Sequence, residues 1–151
     1  MDKVEVLKRS DVFRELNNEQ LRLVAQMCTA EVFEPGTVIH RQNTVLDKLR
    51  VIEEGLVAIV LEVGALSHRQ VTAAANFESI GWSAIVPPYL TTTSARAMER
   101  TKVLTFKGHD LVNLCQTNPG IACLIYRGVA RVIADRLCAA FIQCLGVTAQ
   151  D

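Results

Sequence analysis

The sequence has no excess charge of either sign. Lys plus Arg number 16 and Asp plus Glu number 16, so no whole-chain field draws it to nucleic acid or to an anionic membrane. It has no CxxC pair. Its five cysteines (Cys28, Cys115, Cys123, Cys138 and Cys144) are odd in number and lie in apolar, helix-like segments, which argues against a disulfide framework and for reduced core thiols. No apolar h-region follows the charged opening MDKVEVLKRS, so no secretory signal is read and a cytoplasmic location is expected. An uninterrupted apolar run is also missing. The most apolar stretch, Ile121–Leu145, contains Arg127, Arg131, Asp135 and Arg136, each costing roughly 2.5–3.5 kcal/mol at a bilayer centre. The nucleophile elbow, the P-loop, paired carboxylates and a Ser-His-Asp pattern are all absent, so no catalytic residues are assigned and an enzyme is not expected. The three histidines, His40, His68 and His109, lack ligand spacing, and no metal site is assigned.

What is present suffices for one domain: 151 residues, half of them apolar, with no repeat and no low-complexity linker. Residues 1–29 read as a helical lead-in. Leu7, Phe13, Leu16, Leu21, Val24 and Met27 recur at helical spacing, the join between two short helices falls near Ser10 and Asp11, and Asn17 with Gln20 forms a capping box. Over 30–107 the pattern changes to short alternating runs rich in β-branched residues. Strands are predicted at Glu31–Phe33, Thr37–His40, Leu49–Glu53, Leu56–Glu62, Gln70–Ala74, Ser94–Met98 and Val103–Phe106, with Pro35-Gly36 and Gly55 as turns. This predicts an α+β, mainly β fold: a jelly-roll-like antiparallel β-roll. Over 108–146 a short helix, His109–Thr117, and a long one opening at Pro119 follow.

The long helix carries an apolar stripe wider than one small sheet needs. Ile125, Val129, Val132, Ile133, Ala140 and Phe141 are therefore expected to form a homodimer interface, while Arg127, Arg131 and Arg136 are read on other faces. Cys138 and Cys144 are read as core or interface.

With this order of elements, the block EPGTVIHRQNTVLDKLRVIEEGLVAIV, Glu34–Val60, resembles the signature of the cyclic nucleotide-binding domain family, the sensor half of catabolite activator-like regulators. Gly36, Ile39, Asp47, Leu49, Ile52, Gly55 and Val57 fall at the intervals of that family, and Asn43 stands in place of a glycine at a left-handed turn. The block SIGWSAIVPPYLTTTSARAMERTKVLTF, Ser79–Phe106, is similar to its phosphate-binding cassette, placed at 79–95. The resemblance implies a loop whose backbone N–H groups meet a cyclic phosphate, beside a glutamate for the ribose and an arginine for the phosphate. Gly81 matches the loop glycine. Trp82 replaces the glutamate, and the arginine position falls on Leu90 or Thr91. Arg96 should point to the opposite strand face.

The expected ligand residues are Gly81, Trp82, Ser83 and Ala84 with the polar run Thr91, Thr92, Thr93 and Ser94. Trp82 either walls or plugs the pocket or packs on Pro87, Pro88 and Tyr89, and the threonines form either an anion nest or a plain strand surface. Without the charged pair, a cyclic nucleotide is expected to bind weakly or not at all in the usual mode. The function expected is a stand-alone, non-enzymatic regulatory module that binds a small anionic ligand and signals to an effector protein. The alternative is a ligand-free dimerisation or protein-interaction domain. About 14 residues follow Leu137, too few for a helix-turn-helix, so no DNA-binding module is expected.

Overall fold

The computed structural model describes residues 1–149, with side chains through residue 146. Two short helices, α1 (Lys3–Arg9) and α2 (Asn18–Ala25), lead into the strands β1 (Cys28–Phe33), β2 (Val38–His40), β3 (Lys48–Glu54), β4 (Val57–Glu62), β5 (His68–Ala74) and β6 (Ser79–Ile80). A 3₁₀ helix at Trp82–Ile85 follows, then β7 (Ser94–Ala97), β8 (Thr101–Lys107), α3 (Gly108–Thr117) and the long α4 (Pro119–Ala149). The capping box is present: Asn17 and Gln20 exchange backbone-to-side-chain bonds of 2.9 Å each. Glu34, Pro35, Gly36 and Thr37 make the expected turn, with Gly36 at φ 86° and Thr37 N–H donating to Glu34 O at 3.1 Å.

All strand pairs are antiparallel and form two four-stranded sheets, ordered β1-β8-β3-β6 and β2-β7-β4-β5. This is the predicted β-roll. β1 starts earlier than expected, because Cys28, Thr29 and Ala30 already pair with Phe106, Thr105 and Leu104. β6 was not expected. Two residues are too few to display an alternating pattern, and β6 exists because Arg50 and Val51 of β3 pair with it.

Alternation along the strands divides the packing into two bodies. Leu49 and Val51 of β3, with Leu104 and Phe106 of β8, face the helices and bury Leu7, Phe13, Leu21, Leu111 and Ile125 in the main core. The Phe13 and Phe106 rings lie there 5.0 Å apart. The opposite face looks into the roll, where Ile52, Val57, Ile59, Ala74, Ile80, Ala95 and Val103 form a second core.

Two expectations change. Ile125, Val129 and Val132 are buried in the chain's own main core, with Ile133 packed against it, so α4 uses these four side chains to close the fold and they are not available to a second copy. Ala140 is half-buried, and Phe141 alone of the six proposed interface residues is exposed. None of the cysteines is in a disulfide, but only Cys28 and Cys115 are buried. Cys123, Cys138 and Cys144 are exposed on α4. Among the described residues no helix is long and apolar enough to cross a membrane, and no cluster of metal-ligating side chains occurs.

Candidate ligand site in the cassette

The cassette begins where the chain leaves β6 at Gly81. Its φ of 81° is left-handed, and a Cβ there would lie 2.6 Å from Lys48 O, so only glycine lets the loop pass this close to β3. The following 3₁₀ turn is closed by Ala84 N–H to Gly81 O at 3.0 Å. Its last carbonyl, Ile85 O, accepts from the Tyr126 hydroxyl of α4 at 3.0 Å. Across the site Asn43, at φ 60°, fills the left-handed place assigned to it and donates to Thr91 O at 2.7 Å. The Thr91 hydroxyl donates to Thr93 O at 2.9 Å and accepts from Thr93 N–H at 3.3 Å. It shapes its own loop.

Gly81, Trp82, Ser83, Thr91, Thr92 and Thr93 gather around one cavity with His40, Ile59 and Arg136, and the space left between them is ≈ 20 Å³. That is room for about one water. Trp82 walls this cavity and packs on the main core. Two expected members lie elsewhere. Ala84 backs onto Gly108, where an added Cβ would meet Ala84 O at 2.5 Å. Ser94 lies on the far face of its sheet, its hydroxyl accepting from Gln42 N–H at 2.9 Å. Arg96 lines a surface groove with Ser94, Arg41 and His68, on the opposite side from Thr91 as alternation requires. Of the two places counted for an arginine, Thr91 is buried and Leu90 is 45% exposed.

The cation at this site comes from outside the cassette. Arg136 of α4 enters the cavity and its Nη2 donates to Ser79 O, while Asp11 Oδ2 accepts from Ser79 N–H at 3.0 Å. The strand feeding the cassette is thus held by its carbonyl from α4 and by its amide from the α1–α2 connection. Burial pulls the Arg136 guanidinium below its ordinary range, and Asp11 and Glu78 oppose this. Burial likewise raises the carboxyls of Asp11 and Glu78. His40 sits between two cations: burial first, then the charges of Arg50 and Arg136, lower its pKa to about 4, so the ring is neutral.

Arg136 and Arg50 are the residues that sequence reasoning missed. The spacing Ile125, Val129, Val132, Arg136 continues one helical face, and this signal places the arginine on the buried side. Arg50 shares strand parity with Ile52 and therefore looks into the roll. Arg136 was read on another face of the helix, and Arg50 was not singled out.

The family model described as Cyclic nucleotide-binding domain matches residues 30–118. No curated protein matches the sequence. Among solved structures, the chain is similar to a protein described as a cyclic nucleotide-binding protein from Geobacter metallireducens, at 27% identity and a TM-score of 0.79, covering 91% of this chain and 99% of that one. It shares its fold with the catabolite activator protein of Thermus thermophilus, at 21% identity, a TM-score of 0.75, and 92% and 63% coverage. The regulatory domain of Toxoplasma gondii PKA, in a co-crystal structure with cAMP, is similar over 72% of this chain and 41% of its own, at 14% identity and a TM-score of 0.66.

Proposed function

Since this chain belongs to the cyclic nucleotide-binding domain family, we propose that it is a non-enzymatic regulatory module in which α4 is both the latch of the cassette and its output to an effector protein. The observation that carries this reading is Arg136, which crosses from α4 to Ser79 O and leaves ≈ 20 Å³ beside Gly81. A nucleotide's sugar and base have no place there while Arg136 and Trp82 stay. A ligand therefore acts by favouring the arrangement in which the arginine has withdrawn, and its effect is limited to its differential affinity for the two. A small anion is the suitable class, because the approach is lined by donors and by one cation. Cyclic nucleotides, without the cassette carboxylate and arginine, bind weakly.

The test is hydrogen exchange on wild-type protein and on Arg136→Met. Loss of the latch is expected to speed exchange several-fold in α4 beyond Val132 and in residues 79–85, leaving β3 and β8 unchanged. Unchanged exchange in both segments rejects the latch, and a micromolar dissociation constant for cAMP in the wild-type protein contradicts the closed cassette.

A second reading rests on the exposed apolar side chains Leu137, Phe141, Ile142 and Leu145 of α4: a ligand-free pseudo-sensor that acts as a dimerisation domain. It requires self-association together with no thermal shift from any cyclic mono- or dinucleotide.

A further inference from the structure

β5 ends its sheet, with β4 on one side and no strand on the other. A strand edge is a row of free N–H and C=O groups on which another chain can pair, so folded proteins blunt or cover it. Here α4 runs along the edge and covers it loosely. Val71 is the residue passed over in the register with β4, between Gln70 opposite Val60 and Thr72 opposite Ile59, and its carbonyl accepts from Gln143 Nε2 of α4. On either side of this bond the helix stands off the strand, leaving cavities of ≈ 350 Å³ and ≈ 810 Å³. These are the sizes of binding clefts, not of packing voids. The two differ in chemistry. The larger is lined by Leu61, Val71 and Ala140, with Arg69 in its wall. The smaller sets the carboxyls of Asp11, Glu78 and Asp135 against the single guanidinium of Arg136. Asp11 Oδ2 accepts from Ser79 N–H, but Oδ1 is buried without a hydrogen-bond partner, which is uncommon for a buried acceptor.

We propose that the α4–β5 groove is where the effector docks: an extended segment of that protein adds to the β5 edge, with a Lys or Arg side chain among Asp11, Glu78 and Asp135 and an apolar side chain over Leu61, Val71 and Ala140. In strand addition the main chain supplies affinity and alternate side chains supply specificity. An N–H of the incoming segment replaces the Gln143 amide at Val71 O, which requires one exposed side chain to turn away. A helix uses its main-chain donors internally and has none for that carbonyl. Arg69 and Ala73 mark the two ends of the groove and lie four positions apart, about 13 Å of strand, so the groove takes about five residues. The basic residue belongs at the Ala73 end, because Arg69 repels a cation at the other. There it competes with Arg136 for Asp11 and Glu78, the carboxyls that support the buried guanidinium charge. Docking therefore favours the withdrawn arginine, and by linkage a ligand that favours withdrawal strengthens docking. This inference rests on the regulatory reading above and gives its effector a surface.

Selection from a displayed library of random seven-residue peptides, on the full chain, tests it. Enriched peptides are expected to share a Lys or Arg about two to four positions from a Val, Ile or Leu. Fluorescence anisotropy with one enriched peptide should show affinity about tenfold lower or more in the double variant Glu78→Gln with Asp135→Asn, the effect of losing a charged hydrogen bond. Circular dichroism confirms that the variant is folded. Methylating alternate main-chain amides of the peptide is expected to abolish binding to the unaltered protein, a result independent of any variant's folding. At saturation the peptide should slow hydrogen exchange several-fold in residues 69–73. No enrichment, enriched peptides without a basic residue, equal affinity in the folded double variant, undiminished binding of the methylated peptide, or unchanged exchange in β5 overturns the proposal. If no peptide binds while Arg136→Met still loosens α4, only the docking site falls. Unchanged exchange in Arg136→Met removes the regulatory reading itself, whatever the peptides do.

Discussion

His40 places an ionisable ring where two guanidinium charges act on it, and this gives the protein a pH signature. The folded pKa is lowered from 6.5 to about 4, by burial first and then by Arg50 and Arg136. A histidine held neutral by the fold binds fewer protons there than in the unfolded chain. Its contribution is fully present above pH 6.5 and is lost as pH falls through about 4, a difference of about 3 kcal/mol. Asp11 and Glu78 work in the other direction, because burial raises their carboxyl pKa values and the folded state then binds more protons than the unfolded one. The histidine contribution therefore has to be read as a difference. In urea unfolding at pH 7 and pH 4.5, His40→Gln is expected to lose less stability on acidification than wild type does, and an identical loss in both proteins would rule out the buried neutral ring.

At the scale of elements, α4 divides at Arg136 into a half buried in the main core and a half that lies on the surface, where Gln143 Nε2 donates to Val71 O of β5. Gly128 brings the first half against the α1–α2 connection, where an added Cβ would stand 2.3 Å from Val12 O. Arg127 and Arg131 both reach Glu15 at 3.5 Å. Ile121, Ile125, Val129 and Val132 are at most 5% exposed, and each contributes about 1.5–3 kcal/mol on burial. Together they match the whole stability of a domain, about 5–15 kcal/mol. A chain ending after Gly120 is expected to show no cooperative thermal transition. One ending after Arg136 should melt within a few degrees of wild type by circular dichroism, and cooperative melting of the shorter chain would contradict this division. Much of the rest was legible beforehand: the capping box at Asn17 and Gln20, the turns at Gly36 and Gly55, and seven of the eight strands follow from local chemistry. The cassette was legible as a place, with Gly81, Trp82 and Thr91 side by side. Its occupant was not, because Arg136 comes from 55 positions beyond Gly81, and a charged residue continuing an apolar face is read as solvent-exposed until something shows what it meets.

For the whole molecule, the open question is what covers the second half of α4. From Leu137 to Gly146 there is no charged residue, yet Leu137, Phe141, Ile142 and Leu145 are 52%, 60%, 63% and 70% exposed. A groove of ≈ 810 Å³ runs between this segment and β4–β5, lined by Leu61, Val71, Ala140 and Gln143. Leu137, Phe141 and Leu145 repeat every four residues, so they form a ridge along one side of the helix. An uncharged ridge has no reason to select a charged partner, and a second copy of the same ridge is complementary to it without further residues. Covering four such side chains twice over supplies several kcal/mol of apolar burial, enough to offset the cost of association if the helices pack well. Sedimentation is expected to show a dimer for the wild-type protein at micromolar concentration and a monomer for Phe141→Glu with Leu145→Glu, with the melting temperature nearly unchanged because neither side chain belongs to the core. A monomeric wild-type protein, or a double variant that remains dimeric, would place the interface elsewhere. In the arrangement expected here, the dimer seam begins one residue after Arg136, so a change in the cassette that moves the arginine also moves the seam.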